Sequence, residues 1–144
     1  PINWVGNPAT AMKTVIWADI WAFTPFCVII LYAGLQQIPN EIFESAKVDG
    51  AGPIRTFFYI TLPMLKRFVF IVLLIRTIFA LRVFDIIYVL TKGGPGNTTN
   101  VLGLEIYRQG TKFLNLSNAS ALSVITLVLT FTICLSYFYL FGRD

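Results

Sequence analysis

Charged side chains inside apolar stretches are the residues of this sequence whose type and spacing point to chemistry. Arg76, Arg82 and Asp85 lie in one such stretch, and Asp19 is the one charge of an earlier one. A charge at the centre of a membrane-spanning helix costs about 2.5–3.5 kcal/mol, so we expect Arg76, Arg82 and Asp85 to face a bundle interior or a wet cavity.

Arg82 and Asp85 are three residues apart, which places them on one side of a helix and predicts a structural ion pair. Arg76 is nine residues from Asp85 and points to the opposite side. We therefore expect the partner of Arg76 to be water in a cavity or a bound molecule.

Enzymatic chemistry is disfavoured by the residues that the sequence lacks. It contains no histidine, the commonest general base and metal ligand. Cys27 and Cys134 lie in apolar runs without metal-ligand spacing, which is typical of small buried hydrophobes. The glycine-rich string at 91–99 lacks the residue order of a phosphate loop. No nucleophile and base are paired, so an intramembrane enzyme is the weaker hypothesis.

The composition indicates a membrane protein. Hydrophobic residues make up 56% of the chain and charged residues only 12%, whereas soluble domains carry about 25% charged residues. The net charge of +4 lies mostly in polar segments and suggests no nucleic-acid partner. These features predict an all-α, polytopic membrane fold.

Three apolar runs are long enough to cross a bilayer, which needs about 20 helical residues. We predict membrane spans at 14–35, 68–90 and 119–141. Pro25 should kink the first span because it removes a backbone donor. Between the last two spans, the string at 91–99 predicts a tight turn, and a partly re-entrant helix is plausible within 100–117.

A polar segment at 41–63 separates the first two spans and predicts two short helices hinged at a glycine. Asn40 can cap the first helix. Gly50 can adopt the left-handed conformation that ends it, and Pro53 suits the start of the second, at 54–61. We expect this segment to protrude between the spans and to bind another protein.

Pro63 closes this segment. Proline disfavours helical geometry at the preceding residue, here Leu62, and the sequence therefore predicts a break between the second short helix and the next span.

The 41–63 segment resembles the EAA motif of permease subunits in ATP-binding-cassette (ABC) importers. Glu44-Ser45-Ala46, Gly50, Ile60 and Leu62-Pro63 stand at the motif's spacing, with Ser45 replacing the usual alanine. Asp49-Gly50-Ala51 is the form seen in the carbohydrate-importer branch. The resemblance implies a cytoplasmic loop that fits into a cleft of an ATPase subunit. The residues it assigns to ATPase coupling are Glu44, Ser45, Ala46, Asp49, Gly50 and Ala51.

The same resemblance implies a cargo path along the first two spans. Aromatic faces stack on sugar rings, and a fixed cation bonds hydroxyl or anionic groups. Membrane aromatics more often face lipid or pack against other helices, so packing remains the alternative. The residues placed in this path by resemblance are Ala22, Phe23, Phe26, Arg76, Phe79, Ala80 and Val83.

The resemblance further implies the partners of such a permease. They are an ABC ATPase dimer that binds ATP and Mg²⁺, a second permease subunit in a heterodimer, an extracytoplasmic solute-binding protein, and lipid. This chain itself would hold no cofactor. The location would be the cytoplasmic membrane of a bacterium or archaeon, with the 41–63 loop inside. That orientation follows from the resemblance, since lysine and arginine counts on the two sides are similar.

Residues 1–144 would then be part of one transmembrane domain, and we expect them to correspond to the C-terminal half of such a permease. Two alternatives remain open: a permease for a non-sugar solute such as a glycerol phosphate ester, and a membrane assembly subunit that does not conduct. Co-purification with an ATPase, together with ATP hydrolysis stimulated by a binding protein, would separate a transport subunit from an intramembrane enzyme and from an assembly subunit.

Overall fold

The structure is a computed structural model that describes residues 3–141, and no strand occurs within that range. Helical residues make up 77% of it, which confirms the all-α prediction. The α-helices are α1 (Pro8–Leu35), α2 (Asn40–Val48), α3 (Pro53–Thr56), α4 (Leu62–Met64), α5 (Lys66–Leu81), α6 (Asp85–Leu90), α7 (Leu102–Tyr107) and α8 (Leu116–Phe141). Two π-helical turns, Phe57–Thr61 and Arg108–Lys112, follow α3 and α7.

Helices α1 and α8 contain the first and third predicted spans. Of the helices described, these two are long and apolar enough to cross a membrane, over Pro8–Leu35 and Leu116–Tyr139. Helix α1 continues through Pro25. Trp17 and Trp21 are both exposed on it, so this helix offers large apolar surfaces to its surroundings.

The prediction of one continuous span at 68–90 is wrong. Helix α5 ends at Leu81, and a new short helix, α6, starts at Asp85. The 16 residues of α5 rise only about 24 Å at 1.5 Å per residue, less than the roughly 30 Å of a hydrocarbon core. By length and composition, the described chain therefore has two candidate spans and not three.

The break at residues 82–84 is packed by α7. A Cβ on Gly103 would lie 2.6 Å from the Val83 carbonyl oxygen, so only a glycine allows this backbone approach. The break also changes the positions of the charged residues next to it. Arg82 and Asp85 are exposed, and within residues 3–139 no ion pair joins them, so the predicted pairing is wrong. Asp85 instead lies in the first turn of α6, where a carboxylate suits the helix dipole.

The chain divides into two compact units. One comprises residues up to Phe23 together with those from Ile75 onward, and the other comprises Thr24–Leu74. The buried core of the first unit is formed by Val15, Ile87 and Leu104, from α1, α6 and α7. Three aromatic rings pack beside it with centroids 4.9–5.2 Å apart; they belong to Phe84, Tyr88 and Tyr107.

Candidate functional site

The 41–63 segment forms the helix–turn–helix that the sequence predicts. Helix α2 starts directly after Pro39, and Asn40 lies inside the helix without a side-chain capping bond, so the predicted cap is wrong. Glu44 and Ser45 are exposed, whereas Ala46 is buried. The Ser45 hydroxyl donates to the Glu41 carbonyl at 2.8 Å, which satisfies it within the helix. The Glu44 carboxylate remains on the outer surface, where a partner could reach it.

Gly50 makes the turn that ends α2. Its φ is +70°, which confirms the predicted left-handed conformation. The Gly50 amide donates to the Lys47 carbonyl at 3.0 Å, and the Ala51 amide donates to the Ala46 carbonyl at 2.9 Å. A Cβ on Gly50 would meet nothing within 4 Å, so glycine is needed here for its φ and not for space.

The second half of the segment stays helical through Pro63, contrary to the predicted break. Leu62 has helical dihedrals, φ −65° and ψ −43°. Its amide donates to the Phe57 carbonyl, five residues back, at the end of the π-helical turn Phe57–Thr61. This wider turn shifts the hydrogen-bond register just before the proline, which offers a way to continue the chain past a residue without an N–H.

The outer surface of this segment also exposes large apolar side chains and carries a pocket. Val48, Ile54 and Tyr59 are 87%, 76% and 78% exposed. The same segment carries a pocket of about 170 Å³, lined by Ala46, Asp49, Ala51, Arg55, Tyr59 and Ile60. Of the six residues assigned to ATPase coupling, the pocket therefore includes three. Exposed apolar side chains on one segment are typical of a surface that docks another protein.

A charged and aromatic cluster joins α1 to α5 in the first unit. The Arg76 Nη2 atom donates to the Asp19 Oδ2 atom at 2.5 Å, forming an ion pair. The Arg76 guanidinium carbon lies 4.5 Å from the centre of the Phe23 ring, a cation–π contact. The Phe23 and Phe79 ring centres are 5.5 Å apart. The prediction that Arg76 lacks a protein partner is wrong, because Asp19 is that partner.

The structure therefore groups three of the seven predicted cargo-path residues, namely Phe23, Arg76 and Phe79. Ala22 and Ala80 are exposed on the same two helices, and so is Phe26, which belongs to the other unit. Val83 lies in the break after α5 and packs against the buried core.

Sequence reasoning assigned no role to Asp19. The signal was present, since Asp19 is the single acid of one apolar run and Arg76 lies in another. What the sequence lacks is the register of α1 against α5. Because the pair is 57 residues apart, it depends on tertiary packing.

The glycine-rich turn after α6 is fixed by Arg108. Its guanidinium donates to the Lys92 carbonyl at 2.7 Å and to the Asn97 amide oxygen at 3.2 Å. Gly93 has a φ of +87°, and a Cβ there would lie 2.6 Å from Arg108 Nη2. The hydroxyls of Thr91 and Thr99 are hydrogen-bonded at 2.7 Å. The conformation of the turn is therefore held by specific hydrogen bonds.

Glu105 organises the polar side chains that follow. Its carboxylate accepts hydrogen bonds from the side-chain amides of Asn100, at 3.0 Å, and Gln109, at 2.8 Å. These donors stabilise the charged form and hold the pKa of the Glu105 carboxyl below its ordinary value. Glu105 thus links both ends of α7.

The sequence from residue 2 to residue 142 matches the protein family described as "Binding-protein-dependent transport system inner membrane component". The chain is 46% identical to the trehalose/maltose transport system permease protein MalF of Thermococcus litoralis, covering 100% of this chain and 49% of that protein. It is 42% identical to the sulfoquinovosyl glycerol transport system permease protein SmoG of Agrobacterium fabrum, covering 96% of this chain and 44% of the relative.

The fold is similar to one chain in the crystal structure of a bacterial ABC transporter involved in the import of the acidic polysaccharide alginate. The TM-score is 0.89 at 28% identity, over 99% of this chain and 50% of that chain. The chain thus spans about half the length of the relatives it matches. The match over nearly all its residues shows that this chain belongs to the family of inner membrane components of binding-protein-dependent transport systems.

Proposed function

We propose that this chain forms part of the transmembrane permease of an ATP-driven, binding-protein-dependent sugar importer. The observation that carries the proposal is the exposed helix–turn–helix at 41–63, which displays the EAA residues in a chain of this family. The family consists of transport components and not of enzymes. The energy would come from a separate ATPase dimer, which would bind ATP and Mg²⁺.

The coupling role rests on the shape and chemistry of α2 and the turn after it. Glu44 offers an exposed carboxylate, and Gly50 fixes the sharp turn. Val48, Ile54 and Tyr59 would be costly to leave exposed to water and would gain from burial against the ATPase, at about 25 cal/mol per Å² of apolar area. ATP-driven closure of the ATPase dimer would then move this segment and the helices attached to it.

Sugar is the proposed cargo class because the related proteins are named for carbohydrates or carbohydrate derivatives. The cluster of Phe23, Phe79 and Arg76 supplies aromatic faces and hydrogen-bond donors, which suit a sugar ring and its hydroxyls. Further proposed partners are a second permease subunit and an extracytoplasmic solute-binding protein. The proposed location is a bacterial or archaeal cytoplasmic membrane, crossed more than once.

Reconstitution tests this proposal. The subunit would be co-expressed with the second permease and the ATPase from its own organism and placed in proteoliposomes. We expect all three to co-purify, ATP hydrolysis to rise when the sugar-loaded binding protein is added, and labelled sugar to accumulate only with ATP. Co-purification without ATP-dependent uptake of any sugar would contradict the proposal.

A further inference from the structure

The ion pair between Asp19 and Arg76 is the feature of the structure to which no role has yet been given. The Arg76 guanidinium is held from two sides, by the Asp19 carboxylate and by the face of the Phe23 ring. An ion pair and a ring contact together restrict the position and the tilt of the guanidinium plane. Asp19 touches Arg76 from α1, the helix that also supplies Phe23.

The pair is charge-balanced and incompletely buried. The side chains of Arg76 and Asp19 are 24% and 17% exposed. Since charged side chains facing hydrocarbon are costly, this exposed part should face a wet cavity or another protein surface. A molecule arriving there meets a guanidinium whose positive charge is already cancelled by Asp19.

The guanidinium still has an unused donor. Arg76 Nη1 is buried and has no hydrogen-bond partner among the described residues. An unsatisfied buried donor favours any rearrangement that brings it an acceptor. A neutral hydroxyl oxygen would supply that acceptor and leave the site uncharged, whereas a second carboxylate would leave a net negative charge in an apolar surrounding.

We infer that Asp19 is a positioning residue that fixes and neutralises Arg76, and that the Asp19–Arg76 pair makes the cargo path favour neutral, hydroxyl-bearing molecules over anionic ones. This inference rests on the proposed function, because it concerns the specificity of the same path. The charge of the cargo is a property that this kind of transporter has to distinguish, since one similar structure belongs to an importer of an acidic polysaccharide and one relative is a trehalose/maltose permease.

A purely structural ion pair would also lower stability when broken, so stability alone cannot test the inference. The discriminating readout is the ratio of affinities for a neutral and an anionic sugar. Maltose and maltobionate are suitable probes, because they share one glucosyl unit, while the second unit is a neutral ring in maltose and an open-chain carboxylate in maltobionate. The comparison between variants uses the same two probes, so the effect of the open chain cancels. Binding would be measured by saturation-transfer difference NMR on the whole permease–ATPase complex in nanodiscs, without the solute-binding protein, so that the membrane path alone selects.

We expect Asp19→Asn to raise the affinity for maltobionate relative to maltose by about tenfold or more, because Arg76 then presents an uncancelled charge. Adding Arg76→Gln to that variant should remove the gain. Asp85→Asn is the matched control, since it makes the same change at an exposed acid outside any ion pair in the described residues. It should leave the ratio as in the wild type.

An Asp19→Asn variant with an unchanged ratio, or a gain that survives Arg76→Gln, would overturn the inference. If Asp19→Asn fails to assemble, Arg76→Lys provides the test, because lysine keeps the charge but loses the forked donors and the flat face. It should weaken maltose binding several-fold without favouring maltobionate, and unchanged maltose binding would overturn the inference. A wild-type complex that imports no sugar would contradict the proposed function instead.

Discussion

Asp19 and Arg76 show how two charged residues, each costly to place in an apolar helix, can stabilise one another. Alone, each would need water or a partner at its depth. Together they form an ion pair with opposite charges on α1 and α5, with Phe23 beneath the guanidinium. Removing one partner of such a pair leaves the other uncompensated, whereas replacing both with apolar residues of similar size is often neutral or stabilising.

This reasoning predicts a non-additive double-mutant cycle. Asp19→Leu and Arg76→Leu should each lower the unfolding free energy by about 1–3 kcal/mol, because each strands a partly buried charge. The double variant should be more stable than either single variant. Thermal unfolding of the purified subunit in detergent measures this, and additive losses would show that the two side chains do not interact.

Glu105 gives a prediction about pH. Its pKa is lowered by hydrogen bonds from Asn100 and Gln109, so the folded state favours the charged carboxylate. A group whose pKa is depressed on folding contributes stability above its unfolded pKa and loses it as the pH falls through its folded pKa.

Stability of the wild type should therefore fall from about pH 4 downward, near and below the ordinary glutamate pKa, more steeply than that of Glu105→Gln. The measurement is the unfolding temperature of both proteins between neutral and acidic pH. Parallel curves would mean that this carboxylate contributes nothing to the pH dependence.

The broken helix between α5 and α6 depends on a contact with a later element. The backbone at Val83 leaves helical geometry where Gly103 of α7 approaches it. The break also exposes Arg82 and Asp85 at helix ends instead of aligning them on one face. Helix α5, a turn and the short helix α6 thus occupy the stretch that hydrophobicity alone predicts as one span.

We predict that Gly103→Ala lowers the unfolding free energy by about 1–3 kcal/mol, the usual cost of overpacking. The new Cβ would lie 2.6 Å from the Val83 carbonyl oxygen, which belongs to the backbone and cannot rotate away. Gly110→Ala is the matched control, because its Cβ would meet the nearest atom at an ordinary 3.6 Å. Equal stability of the two variants would contradict the packing described for the break.

Local features of this chain were predictable from its sequence, and distant ones were not. The turn at Gly50 follows from residues next to it, and the apolar lengths of α1 and α8 follow from their own composition. The Asp19–Arg76 pair joins residues 57 positions apart, and the break at Val83 depends on a glycine 20 positions later. Such contacts require the packing of whole helices, which a single sequence does not specify in an obvious pattern.

The proposed arrangement of the chain across the membrane makes a labelling prediction. Lys47 and Thr98 are both exposed, on the 41–63 segment and on the glycine-rich turn. In a background without Cys27 and Cys134, Lys47→Cys should react with a membrane-impermeant thiol reagent only from the cytoplasmic side. Thr98→Cys should react only from outside. Labelling of both from one side would contradict the proposed orientation.

The central proposal is that the 41–63 segment couples this membrane subunit to a separate ATPase. Glu44 carries the exposed carboxylate of the EAA pattern, and Glu41 is an exposed acid one turn earlier on the same helix. Glu41→Lys reverses a charge in the first turn and should disturb α2 at least as much as Glu44→Lys does. The two variants therefore differ mainly in which of them alters the proposed contact.

ATP-driven uptake of labelled sugar into proteoliposomes, measured with equal amounts of assembled complex, tests this proposal most directly. We expect Glu44→Lys to reduce the uptake rate by at least about tenfold, equivalent to about 1.4 kcal/mol in the activation free energy, while Glu41→Lys stays within about twofold of the wild type. Uptake by Glu44→Lys at the rate of Glu41→Lys would contradict the assignment of this segment as the ATPase contact.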